Sequence, residues 1–324
     1  MMTTDSPTIP PRVLSIGVVV LDILTSPVER LPEPEKTLSI SHVDFAVGGC
    51  AANTAHALSR LGFSVSLLGR IGDDVFGRLI RSALQKECID LSYLEDDVHT
   101  PTSTSVVLID NTGERRFLHR SGASGKLAIP ADLPLSQFDF LHLGGCFLVP
   151  GCMGVPLVQL FRKAREKGVV TSIDTLWHTG GNWTDILSAL PHTDYFMPSL
   201  LEAQMITGKQ LPEEIARYLH DNGSEKVIIK MGERGAFVST RQEQQVIPAF
   251  RVPEGKLKDT TGAGDAFVAG VLKGISLGWE LTRAARLGNA CGALATTHFG
   301  GPLMQDRHQL SEYIRKVQED QSIF

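Results

Sequence analysis

The sequence predicts an α/β fold of the doubly wound kind, a parallel sheet covered by helices on both faces. Three observations predict it. Short apolar runs alternate with stretches of helical periodicity along most of the chain. The first run, Val13 to Leu21, is almost unbroken and rich in β-branched residues, as a strand buried on both faces requires. Towards the other end, Asp259-Thr260-Thr261-Gly262-Ala263-Gly264-Asp265 leads directly into an apolar helix carrying Phe267, Val271 and Ile275.

With 324 residues, 42% of them hydrophobic, the chain can bury a substantial core. Residues 1–12 are polar and proline-bearing and read as a disordered tail ahead of one domain over 13–324. A formal charge of -5 with dispersed lysines and arginines gives no basic field for nucleic acid. The five cysteines are scattered without a C-x-x-C pair, so neither a disulfide framework nor a zinc site is suggested and a cytoplasmic location fits. No membrane segment is predicted either. The N-terminus lacks a signal pattern, and Val13 to Leu24 is too short to span a bilayer and contains Asp22.

In order, the Val13 to Leu21 strand ends at Asp22, which either accepts hydrogen bonds from a ligand at the strand's carboxyl end or begins a turn. Residues 34–46 read as a loop entering an exposed strand. Gly48-Gly49-Cys50-Ala51-Ala52-Asn53 opens a helix, and Asn53 in its first turn either caps the backbone or holds a polar ligand. A strand over Phe63 to Leu68 and a helix ending near Lys86 follow, linked through Gly69 to Gly77. Within residues 100–120, two alternating segments flank Asp110-Asn111-Thr112-Gly113 and predict a hairpin. Together with 34–46 it forms a small separate sheet, either a lid, a dimer surface or a decoration.

The doubly wound pattern resumes with strands at Phe138 to Leu143, Val169 to Ile173 and Tyr195 to Met197, and with helices from Pro156, after Ser199 and from Pro212. Val227 to Lys230 and Ala236 to Ser239 are extended segments joined by the turn Met231-Gly232-Glu233-Arg234-Gly235. Helices over Leu281 to Thr297 and His308 to Val317 close the chain on either side of Gly300-Gly301-Pro302.

The turn before Phe267 carries the chemistry. A helix start opened by Gly262 and Gly264 lets a phosphate approach unpaired amides and the positive end of the helix dipole. Asp265 beside it either caps that helix or acts as a general base for a hydroxyl attacking a phosphoryl group. The chain has no G-x-x-x-x-G-K-[ST] and no G-x-G-x-x-G after the first strand, so P-loop kinases and dinucleotide-dependent dehydrogenases are disfavoured.

Gly48 to Asn53 and Asp259 to Asp265 together resemble the N- and C-terminal signatures of the ribokinase-like (PfkB) carbohydrate kinases, over nearly the whole chain. The resemblance implies a three-layer α/β/α fold with a mostly parallel sheet and a small β lid that often also forms a homodimer contact. It implies transfer of the ATP γ-phosphate to a sugar hydroxyl, with Asp265 as base and the amides of Gly262, Ala263 and Gly264 as anion hole. Asp22, Gly49 and Asn53 would hold the sugar, while Lys230, Gly232, Gly235, Thr261 and Gly300 would border the nucleotide. Mg2+ would bridge phosphates near Glu202. Asp259 and Thr260 lie where many relatives bind a monovalent cation, usually K+.

The departures bear on the acceptor. Cys50 stands where ribokinases proper usually have lysine, and Gly144-Gly145 where they have a carboxylate, which turns the reading from ribose towards fructose or a 2-keto-3-deoxy sugar acid. The family's N-x-x-E motif is Ser199-Leu200-Leu201-Glu202 here. Arg115, Arg116 and Arg120 on the hairpin face either an acidic sugar or solvent. Asp174, at another strand end, is either a substrate contact or part of a capped turn. The rival functions are a nucleoside kinase, which needs an aromatic acceptor pocket, and a non-catalytic sugar or nucleotide sensor.

Overall fold

A computed structural model describes residues 9–111, 115–180, 182–298, 300 and 307–321. Most of the predicted tail, the Thr112-Gly113 turn and Gly301-Pro302 lie outside these residues. The chain begins with β1 (Arg12–Gly17), β2 (Val20–Ser26), β3 (His42–Gly48) and α1 (Cys50–Arg60). Next come β4 (Ser64–Gly72), α2 (Val75–Lys86), β5 (Leu94–Asp97), β6 (Thr104–Ile109), β7 (Arg115–Arg120) and β8 (Phe140–Gly144). The middle supplies α3 (Val155–Glu166), β9 (Val170–Ile173), β10 (Tyr195–Phe196), α4 (Leu200–Thr207) and α5 (Pro212–Asp221). The rest is β11 (Lys226–Lys230), β12 (Ala236–Ser239), β13 (Gln244–Ile247), α6 (Ala263–Ser276), α7 (Leu281–Ala295) and α8 (Arg307–Gln318).

A nine-stranded sheet has the order β13-β12-β11-β10-β9-β8-β1-β4-β5, parallel except for β12 and β13 at one edge. Its two faces carry separate apolar layers. Val13, Val65 and Leu67 point towards α1, α2, α6, α7 and α8, whereas Leu14, Ile16, Leu141 and Leu143 point towards α3, α4 and α5. Adjacent residues facing opposite cores explain why the central strands read as unbroken apolar runs. The edge strands β5 and β13 are short and polar, and their sequences give no such signal.

The predicted strand Val13 to Leu21 is two strands. Gly17, with φ 133°, ends β1 where an added Cβ would lie 2.1 Å from the Gly144 carbonyl oxygen. Only glycine permits that approach, and the chain leaves the central sheet there. Two residues later it enters a four-stranded sheet of order β3-β2-β6-β7. The small separate sheet predicted from the hairpin and residues 34–46 is therefore present, with β2 as an additional central strand. Asp22 accordingly sits on this small sheet, in register with Ala46 and Ser105, and not at the carboxyl end of a central strand.

Candidate active site

The winding of the large sheet reverses at β1, since β4 and β5 lie to one side and β8 to β11 to the other. In parallel α/β sheets the crevice beyond the strand ends at such a point receives ligands. The N-terminus of α1 packs directly on that edge. A Cβ on Gly144 would lie 2.9 Å from the Ala51 amide nitrogen. A carboxylate-bearing residue after the middle strand has no room against this helix.

The first turn of α6 faces α1 across the crevice. Gly262 is its N-cap with φ 71° and offers no side-chain cap. The Ala263 amide closes a turn onto the Thr260 carbonyl at 3.2 Å and the Ala266 amide bonds the Gly262 carbonyl at 2.8 Å. Among the described residues, the Gly264 and Asp265 amides are left without a protein acceptor. Asp265 is buried, and its Oδ2 accepts a 2.8 Å hydrogen bond from Asn53 Nδ2. Burial raises its pKa above the ordinary carboxylate range, only partly offset by Asn53, Lys230 and Cys50. Asn53, expected to cap the backbone or hold a polar ligand, is held by α1 against Asp265, and Gly49 is the N-cap of the same helix.

Lys230, at the end of β11, reaches into the same space. Its Nζ lies 3.4 Å from where a Cβ on Gly264 would stand, and it donates to Asp174 Oδ1. Asp174 also accepts from the adjacent Thr175 amide at 2.8 Å, alongside its ion pair with Lys230. Glu202 takes 2.6 Å and 2.9 Å hydrogen bonds from Thr175 Oγ1 and the Ser199 amide. Ser199 in turn accepts from the Glu202 amide, completing a capping box for α4. The spacing Ser-x-x-Glu before an apolar run carries that signal in the sequence.

Burial is the largest influence on Lys230 and pulls its pKa down. The charges of Asp174, Glu202 and Asp265 outweigh it and hold the ammonium above its ordinary value. Asp174 is driven up to about 7, first by burial and then by Glu202 and Asp265 against the opposing Lys230.

The small sheet closes another side. Arg115, the first residue of β7, turns its nearly buried side chain towards Asp259. Its Nη2 lies 2.5 Å from Asp259 Oδ2, and its Nη1 donates to Thr261 Oγ1. The Gly300 amide donates to the same Asp259 oxygen at 2.9 Å, while Thr260 is exposed on the turn. Asp22 is buried, and its pKa rises to about 6 because of burial, despite the Ser105 hydrogen bond and the Arg115 charge. Gly232 and Gly235 turn the chain from β11 to β12 beyond Lys230, with the Met231 amide bonded to the Gly235 carbonyl at 2.8 Å.

Asp22 and Asp174 both ionise less readily in the folded chain than at the ordinary value of 3.8. The folded state therefore holds protons that the unfolded state has lost. Their contribution to stability is full at the acid end of this range and is lost as pH rises through about 6 for Asp22 and about 7 for Asp174. Each group adds a slope of up to about 1.4 kcal/mol per pH unit. Urea unfolding across this range should show Asp22→Asn flattening the slope below pH 6 and leaving the Asp174 part intact. An unchanged slope would mean that Asp22 titrates as an ordinary carboxylate.

A sequence model of the pfkB family carbohydrate kinases matches residues 11–306, and the chain belongs to that family. Among its curated relatives is the fructokinase of Klebsiella pneumoniae, 33% identical over 268 residues covering 78% of this chain and 86% of that protein. The 2-dehydro-3-deoxygluconokinase of Bacillus subtilis is 28% identical over 270 residues, 79% of this chain and 82% of that protein. Arabidopsis thaliana ribokinase, solved with ribose and ATP, superposes with a TM-score of 0.78 at 25% identity, covering 95% of this chain and 99% of that one.

Proposed function

We propose that the chain transfers the γ-phosphoryl group of ATP to a hydroxyl of a small carbohydrate, with fructose and 2-keto-3-deoxy sugar acids as the leading acceptors. The supporting observation is Asp265, a buried carboxylate of raised proton affinity in a helix turn with two amides that lack acceptors among the described residues. The acceptor hydroxyl gives its proton to Asp265 as its oxygen attacks the γ-phosphorus, and ADP leaves with the bridging oxygen. The Gly262-Ala263-Gly264 turn and Lys230 receive the charge carried by the transferred group. Asp22, Gly49 and Asn53 position the sugar. Lys230, Gly232, Gly235, Thr261 and Gly300 border the nucleotide.

Three buried carboxylates, Asp174, Glu202 and Asp265, face one ammonium, Lys230. This excess of negative charge suits an incoming cation, and Glu202 with Asp174 would hold magnesium. Held there, the metal would supply charge neutralisation on the phosphates. The small sheet serves as the lid. Its exposed Val43, Phe45, Phe117 and Leu118 favour a homodimer contact there. No helix among the described residues is long and apolar enough to cross a membrane, and all five cysteines are free, which suits a reducing cytoplasm.

A second reading has its own support. Phe147, Trp177, His178 and Trp183 pack ring on ring beyond β8 and β9, with Phe147 and His178 stacked at 4.8 Å, and Trp177 remains 45% exposed. Such a platform suits a nucleoside base. ADP release from Mg-ATP with fructose, 2-keto-3-deoxygluconate, ribose, other hexoses and nucleosides separates the readings. The highest kcat/KM is expected for fructose or the keto-deoxy acid. A nucleoside as best acceptor would favour the aromatic platform, and ATP binding without any accepted substrate would point to a sensor.

A further inference from the structure

We propose that Arg115 is the built-in counter-ion of the phosphate turn, standing in for the monovalent cation that the resemblance places at Asp259 and Thr260. The inference rests on the assignment of Gly262 to Asp265 as the phosphate site. It starts from Asp259, whose side chain is fully buried immediately before that turn. A buried carboxylate needs hydrogen bonds and an opposite charge. Both are supplied by the chain itself.

Oδ1 of Asp259 accepts the Thr261 amide at 2.7 Å. Oδ2 accepts the Gly300 amide at 2.9 Å and Arg115 Nη2 at 2.5 Å, which fills its two lone pairs. Thr260, the other residue expected there, has one lone pair of its carbonyl taken by the Ala263 amide at 3.2 Å. An alkali cation at the Asp259 carboxylate would have to displace protein donors and sit against a guanidinium of its own sign. Among the described residues, Asp259 with its donors does not fit it.

The guanidinium has a further role here. Its side chain is 8% exposed, and its two arms span Asp259 and Thr261, the residues on either side of Thr260. This planar fork fixes the path of the chain into Gly262, and so the direction of the Gly264 and Asp265 amides. Because Arg115 belongs to β7, the small sheet carries the charge with it. Docking of the lid and completion of the phosphate turn are one event.

The test compares wild type, Arg115→Ala and Arg115→Lys in choline, sodium, potassium and caesium chlorides at matched ionic strength. Wild-type rates should differ by less than about two-fold between salts, well below the roughly 5- to 150-fold of a typical coupled effector. Arg115→Ala should lose turnover and regain part of it in potassium but not in choline, a rescue that a merely structural role would not give. Arg115→Lys should remain salt-insensitive. Thermal melting supplies a readout independent of activity, with wild type melting alike in potassium and choline and Arg115→Ala stabilised by potassium alone.

Potassium activation of wild type, or its selective stabilisation by potassium, overturns the proposal. So does an Arg115→Ala protein that keeps full turnover in choline. A failed phosphate-site assignment is distinguished by full activity of Asp265→Asn, which no response to salt can mimic.

Discussion

Asp265→Asn should lower kcat by roughly 10²- to 10⁴-fold, the scale of lost general-base catalysis. The substitution keeps the shape of the side chain and an oxygen able to accept from Asn53 Nδ2, which now bonds Asp265 at 2.8 Å. It removes only the proton acceptor. ATP affinity should therefore change little, because the proposed nucleotide contacts, the amides of the turn and Lys230, remain. The folded protein should be no less stable. Burial, the main influence that disfavours the Asp265 charge, no longer acts on a neutral amide, and Asp174 loses one of the negative neighbours that raise its pKa. Single-turnover kinetics with the best acceptor, ATP titration and thermal melting check the three statements separately. Turnover close to wild type would remove Asp265 from the mechanism.

Lys230→Met should damage both stability and activity. It leaves Asp174 buried beside Glu202 and Asp265 with no ammonium in reach, and removing one partner of a buried pair costs about 3–5 kcal/mol. The loss should shrink as pH falls, because Asp174, already displaced upward to about 7, becomes neutral. Turnover should fall by about 10²- to 10³-fold, the range for loss of one donor aimed at developing charge. The double variant Lys230→Met with Asp174→Asn discriminates between the roles. It should recover most of the stability, since both charges of the pair are gone, and little of the turnover. Full recovery of turnover would reduce Lys230 to a counter-ion for Asp174.

What the sequence made legible was local. The turn Asp259 to Asp265 and the helix start at Gly48 to Asn53 are contiguous, and their glycines and polar residues stand out from the apolar background. The α/β alternation was equally plain, because the central strands bury both faces. Asp174 and Lys230 meet only because β9, β10 and β11 lie side by side, and nothing near either residue announces the other. Arg115 was visible as one of three hairpin arginines, yet which of them turns inward depends on how the small sheet sits on the turn. Val13 to Leu21 failed as a single strand because apolar patterning reports burial, and burial is continuous through Val18 and Val19 although the sheet changes there. The break is carried by one glycine.

That break sets the mechanics of the small sheet. Val18 and Val19 are the whole link between β1 and β2, and Ser124 grips Val19 from both sides, accepting its amide at 3.0 Å and donating to its carbonyl at 2.7 Å. The neighbouring β6 starts equally tethered, with the Leu21 amide on the Ser103 carbonyl and the Thr102 amide on Asp74. Both central strands of the small sheet leave this fulcrum in the same direction, because β2 and β6 are parallel. Any swing is then a rotation whose travel grows with distance along them. Arg115 pairs with Ile109 at the free end of β6, so the clasp on Asp259 sits at the tip of the lever, where a given force exerts its greatest torque on the whole sheet.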